Sequence, residues 1–326
     1  MKDIELIHKL NKDWRPDRIK VKKAGGQTNK NYIVQYKNKK FFVRLPWERT
    51  DIIDRKIEAK NILALARNKR ISEILPKYYL YISGGKNILS LRKENFDLPD
   101  GTMMAEYIPG KLFTLSLLKK KKYQEKLARM SYIFHTSGVR FANKYNVFRD
   151  EIGKYRIAAR KYPFQKIINP EIVENLNKIE KEAMSVVPIK KGVPAHNDFI
   201  FQNFLIGNDD KMYLLDFEYA GMNEKGGILY DFAFLFADNI FRNPPLTKKI
   251  FEKFLKIADR IYNQRLDRKQ IYWLAVAVPV MQVWWGLLRY FDVKTKKKKK
   301  YFKSYILKRA EGIEFLFRDI NKTSKK

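Results

Sequence analysis

The chain has 326 residues, no cysteine, three histidines and a formal net charge of +33. Its length supports two domains or a bilobed fold, and a hydrophobic content of 45% with 14% aromatics excludes a disordered chain. With no disulfide frame and no ordinary zinc site available, the sequence suits a reducing cytoplasm.

The 68 basic residues against 35 acidic ones would draw any polyanion. They are spread along the chain, as a lysine-biased coding sequence would also leave them. Nucleic acid is therefore not an expected partner, and only weak association with anionic surfaces is left open. Lys296 to Lys300, extended by Lys294 and Lys303, forms the one true run and reads as a solvated loop or a frayed helix start.

Residues 1–15 read as a helix or arm with Ile4, Ile7 and Leu10 on one side, without the apolar core of a secretory signal. From Ile19 the pattern IKVKKAGGQTNKNYIVQYKNKKFFVRLP turns to strands. Gly25 and Gly26 mark a tight loop whose backbone N–H groups can approach phosphate oxygens, with Thr28 and Asn29 as added donors; a plain hairpin also accounts for the two glycines. Arg44 lies on the strand that follows, and a guanidinium there can hold phosphate oxygens bidentately. A helix is expected over 51–67, with Glu58 either the partner of Arg44 or an exposed helix charge. Further strands at 77–82, 87–92 and 102–108 complete an antiparallel sheet of about five strands with one helix. Glu106 to Gly110 reads as a hinge, so that Glu106 and Ile108 would offer backbone to an adenine ring.

Beyond it the period becomes helical. Leu127, Met130, Ser131 and Phe134 share a face, with His135 an ordinary residue of that helix. Asn169-Pro170 starts another helix with Ile172, Leu176, Ile179 and Ala183 inward. Later helices fall at about 228–240, 247–263, 268–291 and 300–320. Ile271 to Leu288 carries no charge and reaches the length of a membrane span. Pro279 and Gln282 interrupt it, so it reads as a buried helix and no transmembrane span is expected.

The chemistry concentrates in PAHNDFIFQNFLIGNDDKMYLLDFEYAG. His196, Asp198 and Asn203 stand in an H-x-D-x-x-x-x-N spacing, and an apolar strand over Met212 to Leu215 ends at Asp216 and Glu218. That pattern fits phosphoryl transfer from ATP: Asp198 as the base on the attacking hydroxyl, with Asn203, Asp216 and Glu218 on Mg2+. Magnesium needs only one or two carboxylates besides phosphate and water. His196 reads as a brace for the loop. Asp238 lies seven residues after Asp231, which places the two acids on nearly the same helix face.

HNDFIFQN followed by LLDFEYAG resembles the choline/ethanolamine kinase family, including its bacterial branch, within the aminoglycoside-phosphotransferase and protein-kinase-like superfamily. The resemblance runs from Gly25 to at least Leu288. It implies an α+β, bilobed protein-kinase-like fold: a small N-lobe over 1–107 with an antiparallel sheet and one helix, and a larger, mostly helical C-lobe over 108–326. GGQTNKNY resembles the family's phosphate loop, which implies nucleotide contacts at Gly26, Gln27, Thr28 and Asn29. Asp231 would brace the catalytic loop. Tyr219, Asp238, Trp284 and Trp285 would hold the cationic head of an amino alcohol, with ATP and Mg2+ as cofactors. Leu288 departs from the pattern where the choline enzymes tend to have another Trp, so ethanolamine stays open beside choline. An aminoglycoside or amino-sugar kinase of the same fold, and a basic nucleic-acid-binding protein on a kinase-like scaffold, are the rival readings.

Overall fold

The computed structural model describes residues 2–25, 29–46, 53–91 and 94–324. In chain order the first elements are α1 (Lys2–His8), β1 (Ile19–Gly25), β2 (Asn29–Tyr36), β3 (Lys39–Pro46) and α2 (Arg55–Arg67). They are followed by β4 (Tyr78–Ser83), β5 (Lys86–Asn87), β6 (Met103–Glu106), β7 (Gly110–Leu112), α3 (Leu115–Leu118) and α4 (Lys121–His135). Next come β8 (Lys144–Tyr145), a π-helical segment Val147–Gly153, α5 (Lys154–Ala159), α6 (Pro170–Val186) and β9 (Ile189–Ala195). The remainder holds β10 (Phe204–Gly207), β11 (Met212–Leu214), β12 (Gly221–Lys225), α7 (Ile228–Ile240), α8 (Lys248–Tyr262), α9 (Arg268–Asp292) and α10 (Lys296–Ser324).

These elements form two compact units. The first comprises residues 1–113, 136–143 and 202–220, and the second 114–135, 144–201 and 221–326. The expected cut at 107/108 therefore falls inside the first unit, which also recruits the two later segments.

In the first unit a six-stranded sheet runs in the order β1-β2-β3-β6-β4-β5, with antiparallel pairing throughout. Its core gathers Ile7, Leu10, Trp14, Val34, Val43, Leu45, Leu80 and Ile82. Ile4 is 46% exposed, so α1 buries only part of the apolar side expected of it. The helix α2 starts at Arg55 because the Asp54 carboxylate caps it, accepting from the backbone N–H groups of Lys56 and Ile57. A second sheet, β11-β10-β7, carries the segment between Asn203 and Asp216.

The second unit is mostly helical, with one small sheet, β8-β12-β9. Asn169 caps α6 ahead of Pro170, as its sequence foretells. The helix α9 is long and apolar enough to cross a membrane, yet 94% of its apolar window is buried in the protein. It packs against α7, α10, α6 and α5, which is the role of a core helix.

Candidate active site

In the first unit, β3 and α2 bring Arg44 and Glu58 together: the guanidinium Nη2 is 2.6 Å from Glu58 Oε1, and both residues are buried. Glu58 is thus the partner of Arg44 and not an exposed helix charge. Its second oxygen accepts from Arg55 Nη1 and from the Tyr81 hydroxyl, each at 2.6 Å. Desolvation would raise the Glu58 pKa, but Arg44, Arg55 and Tyr81 hold it below the usual carboxylate range. A carboxylate buried this deeply stays charged only because both its oxygens are met.

From that pair the network extends towards the expected metal ligands. Arg44 Nη1 lies 3.9 Å from Asp216 Oδ1, and Arg55 Nη1 lies 3.7 Å from Glu218 Oε2. Asn29 joins the two halves: its oxygen accepts from Arg55 Nη2 at 2.8 Å, and its nitrogen donates to Glu218 Oε2 at 2.8 Å. The Asn29 side chain thus bridges Arg55 and Glu218. The backbone carbonyl of Asn203 accepts from Leu215 N at 2.9 Å, which sets Asn203 beside the strand end that carries Asp216.

Asp216 itself has φ +60°. Its carboxyl is pushed up, to about 8, by desolvation first and by Glu218 second, against the pull of Arg44. With 37% of its side chain open to solvent, water softens that push. Two carboxylates that repel each other at a partly open position form an oxygen donor set suited to a hard divalent cation. Among the described residues no group of three or more His, Cys, Asp or Glu could hold a metal. Such a set fits magnesium completed by phosphate and water, not a closed cage.

In the second unit, Asp231 on α7 is fully buried and accepts the backbone N–H groups of His196 at 2.9 Å and Asn197 at 2.8 Å. It is the brace expected of it. Asn197 has φ +63°, and its side-chain oxygen accepts from Asn223 Nδ2 at 2.8 Å, so the turn that presents Asp198 is pinned on two sides. His196 is fully buried between Phe134 and Phe199, consistent with a brace. Asp198 is half-buried. His135 is more than an ordinary helix residue: Nε2 meets Asp231 at 2.8 Å and Nδ1 meets the Tyr262 hydroxyl at 2.6 Å.

The expected headgroup residues fare unevenly. Trp284 is 1% exposed and packs edge-on to Phe164, so it is core and offers no open face. Trp285 is half-buried against Phe302 and Tyr305. Asp238 is 8% exposed and already bonded to Arg242 Nη2 at 2.7 Å and to Gln282 Nε2 at 3.1 Å. Tyr219 is half-buried in the first unit, whereas Asp238, Trp284 and Trp285 belong to the second. Glu106 is exposed at the end of β6, where its side chain accepts from Lys77 N at 3.2 Å, and Ile108 is half-buried just beyond. Gly26, Gln27 and Thr28 lie outside the described residues.

Sequence reasoning missed Arg55, Tyr81 and the arginines at Asp238. Arg55 and Arg242 had local signals, standing three residues before Glu58 and four after Asp238, whereas Tyr81 and Arg309 had none.

The sequence model of the choline/ethanolamine kinase family matches residues 95–265, more than half of the chain. The chain belongs to the choline/ethanolamine kinase family. Protein LicA of Haemophilus influenzae, a curated relative, is 25% identical over 235 residues, which cover 70% of this chain and 60% of that protein. Among solved structures, choline kinase LicA from Streptococcus pneumoniae superposes with a TM-score of 0.72 at 20% identity, covering 96% of this chain and 100% of that one. Plasmodium vivax ethanolamine kinase gives 0.69 at 18% identity, covering 95% and 87%. These superpositions show a kinase-like fold, and the match spans about 60% of the length of the curated relative.

Proposed function

We propose that the protein transfers the γ-phosphoryl group of ATP to the hydroxyl of choline or ethanolamine, giving phosphocholine or its ethanolamine counterpart and ADP. The observation that carries this reading is the buried Arg44–Glu58 pair with Asp216 3.9 Å from the same guanidinium. Kinases need a cation held forward by a helix acid, together with a metal-bearing aspartate.

Each residue then has a task. Arg44 is suited to clamp phosphate oxygens, and Gly26, Gln27 and Thr28 to cover them. Backbone around Glu106 and Ile108 would meet the adenine. Asn203, Asp216 and Glu218 would hold Mg2+. When bound, the ion supplies positive charge to the phosphate oxygens as negative charge spreads over them.

Asp198 accepts the hydroxyl proton as the acceptor oxygen bonds to phosphorus. The bond from the γ-phosphorus to the bridging oxygen breaks, and its electron pair leaves on ADP. Asp231 fixes the backbone before the acceptor arrives, so the carboxylate needs no reorganisation at the moment of transfer. Tyr219 and Trp285, the latter packed against Tyr305, are among the aromatic faces proposed for the acceptor's ammonium. The cysteine-free chain suits work in the cytoplasm.

ADP release in the presence of Mg2+ should be measured with choline, ethanolamine and an aminoglycoside in parallel. Turnover with the amino alcohols is expected. Turnover with the aminoglycoside alone would reassign the acceptor, and salt-sensitive RNA binding without ATP turnover would overturn the reading.

A further inference from the structure

Near the catalytic loop of the second unit, the surroundings that suit an alkylammonium already hold a cation, and that cation is the chain's own. Arg309, on α10, has its guanidinium carbon 3.4 Å from the ring centroid of Tyr305 and 5.2 Å from that of Phe241. Its Nε donates to Gln282 Oε1 at 2.6 Å, and Nη2 lies 3.5 Å from Asp238 Oδ1. Arg309 is 7% exposed. Two aromatic faces over a carboxylate are what a methylated ammonium requires, because it has no N–H to donate.

The same cluster reaches the segment that follows the expected base. Arg242, bonded to the other oxygen of Asp238, lies over the ring of Phe201, three residues after Asp198. Burial raises the pKa of the Tyr305 hydroxyl and Arg309 lowers it, while Asp238, Tyr301 and Asp198 add upward pushes, so the box lies within electrostatic reach of Asp198. One carboxylate against two guanidiniums leaves the box with a net positive charge, which repels any further cation brought into it.

We propose that Arg309 is an internal occupant of the headgroup box and thereby a specificity-determining residue, one that raises the half-saturating concentration of a quaternary acceptor relative to a primary one. This rests on the amino-alcohol reading above. A trimethylammonium group depends on aromatic faces, so it must compete with the guanidinium for Tyr305 and Phe241. A primary ammonium can be held by N–H···O bonds outside the box and loses less.

The test compares wild type with Arg309→Met. The half-saturating choline concentration is expected to fall about tenfold, the worth of one regained cation–aromatic contact, while that for ethanolamine changes by less than about threefold. Arg309→Gln, whose amide can still donate to Asp238, carries the same test should the Met variant not fold. Arg309→Lys, which keeps a cation in the box, should retain the wild-type ratio. A merely structural arginine would change both acceptors alike, and an unchanged choline-to-ethanolamine ratio in the neutral variants overturns the proposal.

A second readout does not depend on turnover. Tetramethylammonium chloride, against matched sodium chloride, should raise the melting temperature of the neutral variant and leave wild type unmoved. Equal responses in both proteins overturn the proposal. Absence of turnover with either alcohol, beside a selective tetramethylammonium response, would overturn the amino-alcohol reading and leave the box standing.

Discussion

Each unit contains a buried cluster of arginines and carboxylates, and the two clusters end differently. In the first, Arg44 and Arg55 both spend their charge on Glu58, and the neighbouring Asp216 keeps 37% of its side chain open. In the second, Arg242 and Arg309 converge on Asp238 itself, and both oxygens of that carboxylate are engaged. The same side-chain types thus make a cation-seeking end in one place and a closed latch in the other. What decides is which carboxylate the guanidiniums reach, not how many charges are present.

The sharpest way to break this contrast is at the loop carboxylate. Asp198→Ala should remain folded and lose on the order of 10²–10⁴ in turnover, the usual worth of a positioned base, as read by ADP release and far-UV circular dichroism. A soluble variant with near-normal turnover would remove the assignment. Asp238→Ala should instead lower stability, by about 3–5 kcal/mol, because the buried Arg309 and the half-buried Arg242 lose their shared carboxylate. Chemical denaturation checks this, and an unchanged midpoint would show that the latch carries little stability.

A third buried acid sharpens the comparison because it is met by phenols. Glu151, in the π-helical segment, accepts from the hydroxyls of Tyr145 and Tyr155. Burial outweighs those bonds and pushes its carboxyl from the ordinary 4.5 up to about 7. A carboxyl whose folded pKa is raised favours the folded state fully below about 4.5, and the benefit is lost as pH rises through about 7. Wild type should therefore lose on the order of 3 kcal/mol across that window relative to Glu151→Gln, which should be flat there. Parallel pH-dependence in the two proteins would show that Glu151 does not titrate in this window.

Much of this was legible in the sequence because it is written in short spacings. The loop from His196 to Asn203, the strand ending at Asp216 and the helices α7 to α10 each declare themselves within a few turns of chain. The contacts of Arg309 do not, since Asp238 lies 71 residues away and Gln282 lies 27 away. Periodicity marks both as helical positions and says nothing of their meeting. Trp284 and Trp285 show the same limit: adjacent on α9, they sit about 100° apart around the helix, so one fills the core while the other meets Tyr305. The last segment of the first unit was invisible for a related reason, because β10, which carries β11 on its other edge, pairs with β7 across some ninety residues of intervening chain.

The left-handed backbone at Asp216 has a consequence for how the protein could drift or be engineered. A φ of +60° is a conformation that glycine adopts freely and that alanine holds only under strain. Asp216→Gly should therefore melt higher than Asp216→Ala, by the equivalent of about 1 kcal/mol, although both would be inactive. Selection for heat tolerance alone would push this position towards the residue that ends phosphoryl transfer, so any screen for hardier variants must score turnover alongside melting.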